Sequence, residues 1–403
     1  FKRLMQQGHS CENMFINYLP SFTAPGHTCI YTGSVPAIHG IASNDWIDQL
    51  TGAQVYCTDD ASVKAVGGTE RAGKMSPRNL WTSTITDELR LATNFKSKTI
   101  SISVKDRASI LPGGHTSNGS YWMDDSLGVF MSSTYYMSDL PQWVKDFNAK
   151  GMAKQYMSQD WNLMYPVSTY VQSTMDQNVY EGKFLGESGT QFPHLTSKLK
   201  VSDIKKTPYG NTIVFDMGRE AILNEKLGQQ NVTDFLCLSC SSTDYVGHQF
   251  GPNSVEIEDM YLRLDKDLAA FLDYLDDMVG EGNYTVFLTA DHGAAHNPQY
   301  LLDSKLPAGF FYGSKLKTEL NNYMSQAFKS NRLVKEVGEN FIWLNHDLAD
   351  SMKINEAEIK HEIIRILKIH PEIQFAVDME NIQQAVLPKV IKEMAVNGYC
   401  AKR

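Results

Sequence analysis

Short apolar runs bounded by polar or turn-forming residues predict four β-strands in this chain. The first alternates in polarity, as a half-buried strand does. The last is continuously apolar, which is typical of a parallel strand covered on both faces. The four predicted strands are Thr99–Val104, Thr212–Phe215, Phe235–Cys240 and Thr285–Ala290.

Apolar residues that recur every three or four positions predict helices around these strands. The longest begins at the capping box Asn253-Ser254-Val255-Glu256. Its buried face is predicted to consist of Ile257, Tyr261, Leu264, Leu268, Phe271 and Leu275. Shorter helices are predicted at Thr23, after Pro77, after Pro141, over Arg219–Leu227 with Gly228 closing it, and over Asn355–Ile369. Because strands alternate with helices, the sequence predicts an α/β fold, a doubly wound and mostly parallel sheet with helices on both faces.

The regular pattern is interrupted twice, which predicts four segments. Residues 1–112 and 211–298 are expected to be the two parts of the α/β core. Residues 113–210, rich in Tyr, Ser, Gly, Asn and Trp, are expected to be an insertion that carries a lid. Residues 299–403 are expected to be a second insertion or cap region.

Composition is that of a globular protein with a sizeable core, since 42% of the residues are hydrophobic and 21% are charged. The formal net charge of −9 argues against a nucleic-acid-binding surface, which needs a basic patch. No apolar run approaches the ~20 residues of a membrane span. Six cysteines without zinc-finger spacing favour unpaired thiols. The chain starts at Phe1 with no signal peptide, so a processed or trimmed start is expected.

Thr23 is the first candidate for chemistry. It is predicted to cap a helix, with Pro25 in the first turn, where the missing N–H costs nothing. A helix N-terminus presents unpaired N–H groups and a partial positive charge, which favour a bound anion. Threonines cap helices far more often than they attack substrates, so the hydroxyl needs an activating partner before a catalytic role is indicated.

Two carboxylate–imidazole pairs follow predicted strands. Asp244 and His248 come after one strand, and Asp291 and His292 come directly after the last. Ligands bind at the carboxyl ends of strands in open α/β sheets, and these donors suit zinc or manganese. One such pair is more often a helix cap or a core histidine. Two pairs, each at a strand end, favour a metal site.

Lys105 and Arg107 end the first predicted strand. Residues two apart on an extended chain point to the same side, so both cations are expected to face one way. A solvated charge run is the usual explanation for such a pair. At a strand end of the same sheet, however, arginine offers a planar fork and lysine a point charge for phosphate oxygens.

Taken together and in this order, these motifs resemble the alkaline phosphatase superfamily. The lysine and arginine make the chain similar to the PafA-type alkaline phosphatases, which use a threonine nucleophile and are related to the nucleotide pyrophosphatase/phosphodiesterases. No motif is recognised beyond Gly293. The motifs are Thr23-Ala24-Pro25-Gly26-His27, Thr32-Gly33, His39-Gly40-Ile41, Asn44-Asp45, Lys105-Asp106-Arg107, Asp244-x-x-x-His248 and Asp291-His292-Gly293.

The resemblance implies two zinc ions (Zn2+) and a role for each motif. Thr23 would be the nucleophile and would share one zinc with Asp291, His292 and an upstream aspartate. Asp244 and His248 would hold the other zinc with a further histidine. The phosphoryl oxygens would be bound by Asn44, Lys105, Arg107 and the backbone N–H of Ala24. The two remaining metal ligands are expected before Phe1 and after Arg403, as in a chain trimmed at both ends.

The sequence thus predicts a metal-dependent phosphate monoester hydrolase that acts through a phosphothreonine at Thr23. A monoester dianion carries more charge than a diester, and Lys105 and Arg107 supply the extra donors. A nucleotide pyrophosphatase or phosphodiesterase is the alternative on the same scaffold. A non-catalytic metal- or phosphoester-binding module is the alternative of another class. By resemblance, the substrates are small phosphate esters and the protein is periplasmic or secreted.

Overall fold

Nine strands form three sheets in residues 1–400, the part of the chain that the computed structural model describes. In chain order they are β1 (Asp45–Ile47), β2 (Gln54–Tyr56), β3 (Ala65–Val66), β4 (Thr99–Ser103), β5 (Gly119–Asp124), β6 (Val129–Ser133), β7 (Phe235–Ser239), β8 (Val334–Val337) and β9 (Ile342–Leu344). Five of them form the central sheet in the order β3-β6-β5-β4-β7. β1 with β2, and β8 with β9, form small antiparallel pairs.

Sixteen α-helices surround these sheets within the same residues. They are α1 (Lys2–Gln7), α2 (Thr23–Thr32), α3 (Pro36–His39), α4 (Glu70–Gly73), α5 (Ile85–Ala92), α6 (Arg107–Gly113), α7 (Gln142–Ala149), α8 (Met152–Tyr156), α9 (Tyr209–Glu225), α10 (Ser242–Phe250), α11 (Val255–Met278), α12 (Pro298–Asp303), α13 (Gly313–Phe328), α14 (His346–Ser351), α15 (Glu356–Leu367) and α16 (Lys389–Gly398). Four 3-10 helices add Val167–Thr169, Thr196–Lys198, Val201–Lys206 and Met379–Gln384. None of the described helices combines the length and apolar character that a membrane crossing requires.

The central sheet confirms the predicted α/β class. The sheet is mixed, with parallel and antiparallel strand pairs, where the sequence predicted a mostly parallel one. β4 pairs in parallel with β5 and β7, whereas β5 with β6 and β6 with β3 are antiparallel. Every residue of β4 is buried. Ile100 and Ile102 pack with residues of α9 and α11 on one face. On the other face the Ser109 hydroxyl of α6 donates to the Ser101 carbonyl at 3.0 Å. Helices therefore cover both faces of the sheet.

The residues of the two predicted insertions are placed as follows. Segment 113–210 contributes β5 and β6 to the central sheet before it continues into short helices and loops. Segment 299–403 holds β8, β9 and α12–α16, and α13, α15, β8 and β9 enclose a separate cluster of buried apolar residues. Residues 401–403 of that segment lie outside the described residues.

The predicted strand Thr212–Phe215 is wrong, because these residues lie inside α9. An apolar run of this length cannot by itself distinguish a strand from a buried helix turn. Continued along the chain, the buried positions reach Met217 and Ala221 with helical spacing. The predicted helix Arg219–Leu227 is the second half of α9 and its end.

The predicted strand Thr285–Ala290 is also wrong, because these residues form no ladder with any described strand. Phe287 and Leu288 are 55% and 57% exposed, and the Phe287 ring lies 6.1 Å from that of Phe235 in β7. The run thus follows the edge of the sheet without pairing to it. Apolar composition favours a strand, but only a backbone partner makes one.

Several other predictions are confirmed, although Tyr261, predicted on the buried face of α11, is 49% exposed, and the helix predicted after Pro77 begins only at Ile85. The strand expected at Thr99–Val104 is β4, and that expected at Phe235–Cys240 is β7. Ser254 caps α11, its hydroxyl accepting the N–H of Ile257 at 3.3 Å. Glu256 of the expected capping box instead turns inward, with Oε1 lying 3.0 Å from Nε2 of His194. The predicted helices after Pro141 and at Asn355 are α7 and α15.

Glu256 belongs to a buried cluster of acidic residues around His194. His194 is fully buried between Glu187 and Glu256. Glu181 lies nearby and is 7% exposed. Burial, reinforced by the charge of Glu256, raises the pKa of the Glu181 carboxyl to about 8. The folded chain therefore keeps this carboxyl protonated at pH values where the unfolded chain has ionised it.

This cluster predicts a pH-dependent contribution to stability. The Glu181 carboxyl has an ordinary pKa of 4.5 and a folded one of about 8. The stability it supports is complete below the lower value and is lost as the pH rises through the upper one. The free energy of unfolding of the parent chain should fall between about pH 5 and about pH 9. We expect this fall to be smaller in Glu181→Gln by at least ~1.4 kcal/mol, which corresponds to one pKa unit. Urea unfolding at both pH values measures this difference. The exposed Glu281→Gln is the control, and parallel profiles for parent and Glu181→Gln would contradict the assignment.

Candidate active site

Thr23 is the first residue of α2, and Phe22 occupies the N-cap position. The prediction that Thr23 caps the helix is therefore wrong by one position, and the N-cap residue Phe22 makes no side-chain capping bond. Thr23 is 4% exposed. Its Oγ1 lies 3.5 Å from Nε2 of His292. The hydroxyl is thus not engaged in capping and faces the predicted metal-ligating residues.

Asn44 lies beside the same helix end. Its Oδ1 accepts the backbone N–H of Ala24 at 2.9 Å. Because this bond engages the oxygen of the amide, the NH2 group of Asn44 is the side that can donate to a ligand. The predicted phosphoryl-binding groups of Asn44 and Ala24 thus lie together, and Asn44 fixes the start of α2.

His292 lies at the centre of the predicted donor set. Its Nε2 is 3.6 Å from Asp291 Oδ2 and 3.8 Å from Asp244 Oδ1. Its Nδ1 lies 2.9 Å from the carbonyl oxygen of Gly293. A proton on Nδ1 that is donated to this carbonyl leaves the lone pair on Nε2, which points at Thr23 and the two carboxylates.

Asp244 and His248 lie one turn apart on α10. His248 Nε2 is 3.3 Å from Asp244 Oδ1, and Lys105 forms an ion pair with Asp244 Oδ2. Burial alone would raise the pKa of the Asp244 carboxyl. The hydrogen bond from His248 and the charge of Lys105 reverse that effect and hold the pKa well below its usual range. Asp244 is therefore an ionised carboxylate that joins α10 to the turn after β4.

Lys105 lies in the turn between β4 and α6, and Arg107 is the first residue of α6. The prediction that both lie on an extended strand end is wrong. Lys105 is 4% exposed, and burial together with the charge of Arg107 lowers the pKa of its ammonium. The two cations nevertheless influence each other at the same edge of the sheet.

Arg107 is held by a partner that the sequence did not single out. Its Nη1 donates to the Tyr56 hydroxyl at 2.9 Å, and that hydroxyl donates to Asp106 Oδ1 at 2.8 Å. Asp106 also accepts the Thr58 hydroxyl at 2.7 Å. Tyr56 is the last residue of β2 and Thr58 follows two residues later, and no local pattern in the sequence marks them.

His27 is a second residue whose role was missed, although it lies in the quoted threonine motif. One turn after Thr23 on α2, its Nε2 is 3.6 Å from Asp291 Oδ2. Burial lowers the pKa of His27 to about 4. The negative charge of Asp291 opposes this shift, and the positive charges of Lys105 and Arg107 add to it. His27 thus lies within electrostatic reach of both the carboxylate and the two cations. His296, which the prediction left out, bonds instead to Asn253 at 2.7 Å.

Carboxylate and imidazole side chains, such as those of this donor set, are suited to bind zinc. The contacts among Thr23 Oγ1, Asp244, His248, Asp291 and His292 measure 3.3 to 3.8 Å. Two donors bound to the same tetrahedral zinc at ~2.0–2.1 Å lie ~3.4 Å apart from each other. The measured contacts are close to this separation. In the described residues 1–400, however, no group of three or more His, Cys, Asp or Glu side chains is arranged to hold a metal ion. The residues present are therefore compatible with two metal sites, each of which lacks part of its ligand set.

The chain matches a known protein family over most of its length. The family model described as type I phosphodiesterase / nucleotide pyrophosphatase matches residues 1–388. A protein of Myroides odoratus named calcium-transporting ATPase is 50% identical over 409 residues, covering 100% of this chain and 75% of the relative. Alkaline phosphatase PhoV of Synechococcus elongatus is 49% identical over 406 residues, covering 100% of this chain and 73% of the relative.

The fold also matches a solved structure. The crystal structure of wild-type alkaline phosphatase PafA superposes with a TM-score of 0.97 at 43% identity, covering 100% of this chain and 78% of that chain. The described residues thus have the PafA-like alkaline phosphatase fold.

Gly26 gives a testable constraint on this site. A Cβ at Gly26 would overlap the backbone carbonyl of Asp291, so only glycine lets α2 approach that residue so closely. We expect Gly26→Ala to force α2 and Asp291 apart and to lower the free energy of unfolding by about 1–3 kcal/mol. Urea unfolding measures the loss. Gly309→Ala is the matched control, because a Cβ there meets no atom within 4 Å. Equal stability of the two variants would show that the contact is not tight.

Proposed function

Because the chain belongs to the type I phosphodiesterase / nucleotide pyrophosphatase family and is a phosphate ester hydrolase, like the alkaline phosphatases it matches, we propose that it hydrolyses phosphate monoesters through Thr23. The observation that carries this proposal is the position of the His292 ring. Its Nε2 lies 3.5 Å from Thr23 Oγ1, 3.6 Å from Asp291 Oδ2 and 3.8 Å from Asp244 Oδ1. Asp244 in turn pairs with Lys105, so a hydroxyl, metal-type donors and a cation lie close together.

Thr23 is the proposed nucleophile. Its Oγ1 would attack the phosphorus as the bond to the ester oxygen breaks. The Thr23 hydroxyl proton would pass to solvent, and the leaving alkoxide would take up a proton from solvent, so the protons balance. Water would then hydrolyse the phosphothreonine, release phosphate and restore the hydroxyl. The Asn44 NH2 group and the helix N-terminus would bind the equatorial oxygens, because the helix dipole favours an anion there. The Ala24 N–H would join them in exchange for its bond to Asn44 Oδ1.

A metal pair is part of the proposal. Thr23, Asp291 and His292 would hold one zinc, and Asp244 and His248 the other. Bound zinc would lower the pKa of the threonine hydroxyl and stabilise the attacking and leaving oxygens. The chain's own contribution is orientation. His27 faces Asp291, and the carbonyl of Gly293 sets the ring of His292.

Charge decides between monoester and diester. A monoester dianion presents one more anionic oxygen than a diester, and Lys105 and Arg107 are the donors available to it. Arg107 is pre-oriented by Tyr56, and Lys105 is almost fully buried. A buried donor is worth more than an exposed one, and loss of one oxyanion donor costs ~2.7–4 kcal/mol. This favours monoesterase activity over the phosphodiesterase alternative on the same scaffold.

We propose in addition that the substrates are small phosphate esters and that the protein acts in the periplasm or outside the cell. Both proposals follow the resemblance to bacterial alkaline phosphatases. A nucleic-acid partner is not proposed, because the net charge of −9 would repel a polyanion.

The cations give the test of the substrate class. In the full-length protein we expect Lys105→Ala combined with Arg107→Ala to lower monoester kcat/KM by at least about 10²-fold. Diester kcat/KM should fall less. Lys98→Ala is the matched control, because Lys98 precedes the opposite end of β4 and pairs with Glu225 at 3.0 Å. Rates on an aryl monoester, an aryl diester and ATP measure the effect. Intact monoester turnover in the double variant would refute the assignment, and a parent enzyme faster on diesters would favour the phosphodiesterase.

The metal pair is tested separately. We expect two zinc ions per full-length chain by elemental analysis, loss of monoester turnover on dialysis against a chelator, and recovery when zinc is restored. His292→Ala should lower the zinc content as well as the rate. Full activity in metal-free protein would contradict the proposal. A chain that binds zinc without any turnover would favour the non-catalytic binding module.

A further inference from the structure

The Tyr245 ring lies between two lysines at the edge of the candidate site. The ring centroid is 4.4 Å from Lys105 Nζ and 5.2 Å from Lys205 Nζ. Arg107 also acts on it, since its charge and that of Lys205 oppose the burial that raises the pKa of the Tyr245 hydroxyl. No motif in the sequence marks this tyrosine.

Lys205 shows how the ring is held. It lies in the 3-10 helix Val201–Lys206 and forms an ion pair with Asp125, directly after β5. Tyr245 itself follows Asp244 on α10. The ring is therefore placed by α10 on one side and by an anchored lysine on another. A cation within about 6 Å of a tyrosine ring centroid is attracted by the ring quadrupole.

Lys105 needs such a partner. Lysine carries its charge on a flexible four-carbon stem, so the stem alone does not fix the ammonium. Asp244 and Tyr245 are consecutive residues that contact the same ammonium. The Asp244 carboxylate pairs with one side of the ammonium. The Tyr245 ring orients the ammonium without adding a negative charge. Because an ammonium has three N–H donors, those not bonded to Asp244 can donate to a substrate oxygen.

We propose that Tyr245 is a positioning residue that holds the Lys105 ammonium toward the phosphoryl group and thereby sets the preference for monoesters over diesters. The inference rests on the proposed function, because it assigns Lys105 to the oxyanion that a monoester has and a diester lacks. Tyr245 acts through Lys105, so its effect should vanish when the lysine is absent.

The test compares kcat/KM for an aryl phosphate monoester and an aryl diester in the full-length enzyme. We expect Tyr245→Leu to lower the monoester-to-diester ratio about tenfold and to weaken inhibition by inorganic phosphate to a similar extent. Tyr245→Phe keeps the ring and should keep most of the ratio. The matched control is Tyr165→Leu, which removes a tyrosine ring 5.1 Å from Lys266 and should leave the ratio unchanged.

A double-mutant comparison decides the mechanism. Adding Tyr245→Leu to Lys105→Ala should lower the ratio no further than Lys105→Ala alone. An unchanged ratio in Tyr245→Leu, or an equal fall with and without the lysine, would overturn the inference. Tyr245→Met serves as a second non-aromatic variant where the leucine variant is poorly folded. If Lys105→Ala itself leaves monoester turnover intact, the proposed function fails, and the two failures are thus distinguished.

Discussion

The ion pair between Lys105 and Asp244 is the interaction on which the site depends. A lysine that is 4% exposed needs an anionic partner, because burying an unpaired charge costs several kcal/mol. Lys105 comes from the turn after β4, and Asp244 comes from α10 after β7. Since β4 and β7 are parallel neighbours, both turns open at the same edge of the sheet. The pair therefore joins two strand ends into one wall of the site.

The opposite wall is α2, and its approach has a steric condition. Gly26 lies against the backbone of Asp291 where no larger residue fits. The same helix turn presents Thr23 to His292 and His27 to Asp291. One backbone contact thus sets the distances of two donors and the hydroxyl. Because those distances exceed the usual length of a hydrogen bond, these side chains do not saturate one another's hydrogen-bonding capacity.

The cations differ in how they are held, and this difference matters for function. Arg107 is fixed by hydrogen bonds through Tyr56 and Asp106, and the arginine fork suits such fixed geometry. Lys105 has no comparable fork. Its ammonium is placed between the Asp244 carboxylate and the Tyr245 ring. The helix α10 therefore carries the metal-type donors of Asp244 and His248 and, between them, the Tyr245 ring that contacts the Lys105 ammonium.

The sequence by itself determined the α/β class, β4, β7, α11 and the residue types of the site, because periodicity, capping and strand-end motifs are local. It did not determine whether Thr212–Phe215 is helix or strand, since a short apolar run satisfies both and packing along α9 decides. Nor did it determine the state of Thr285–Ala290, where a backbone partner decides. Tyr56, His27 and Tyr245 acquire their roles only when distant segments meet. Only the tertiary structure decided these points, because partners far apart in the chain leave no local pattern.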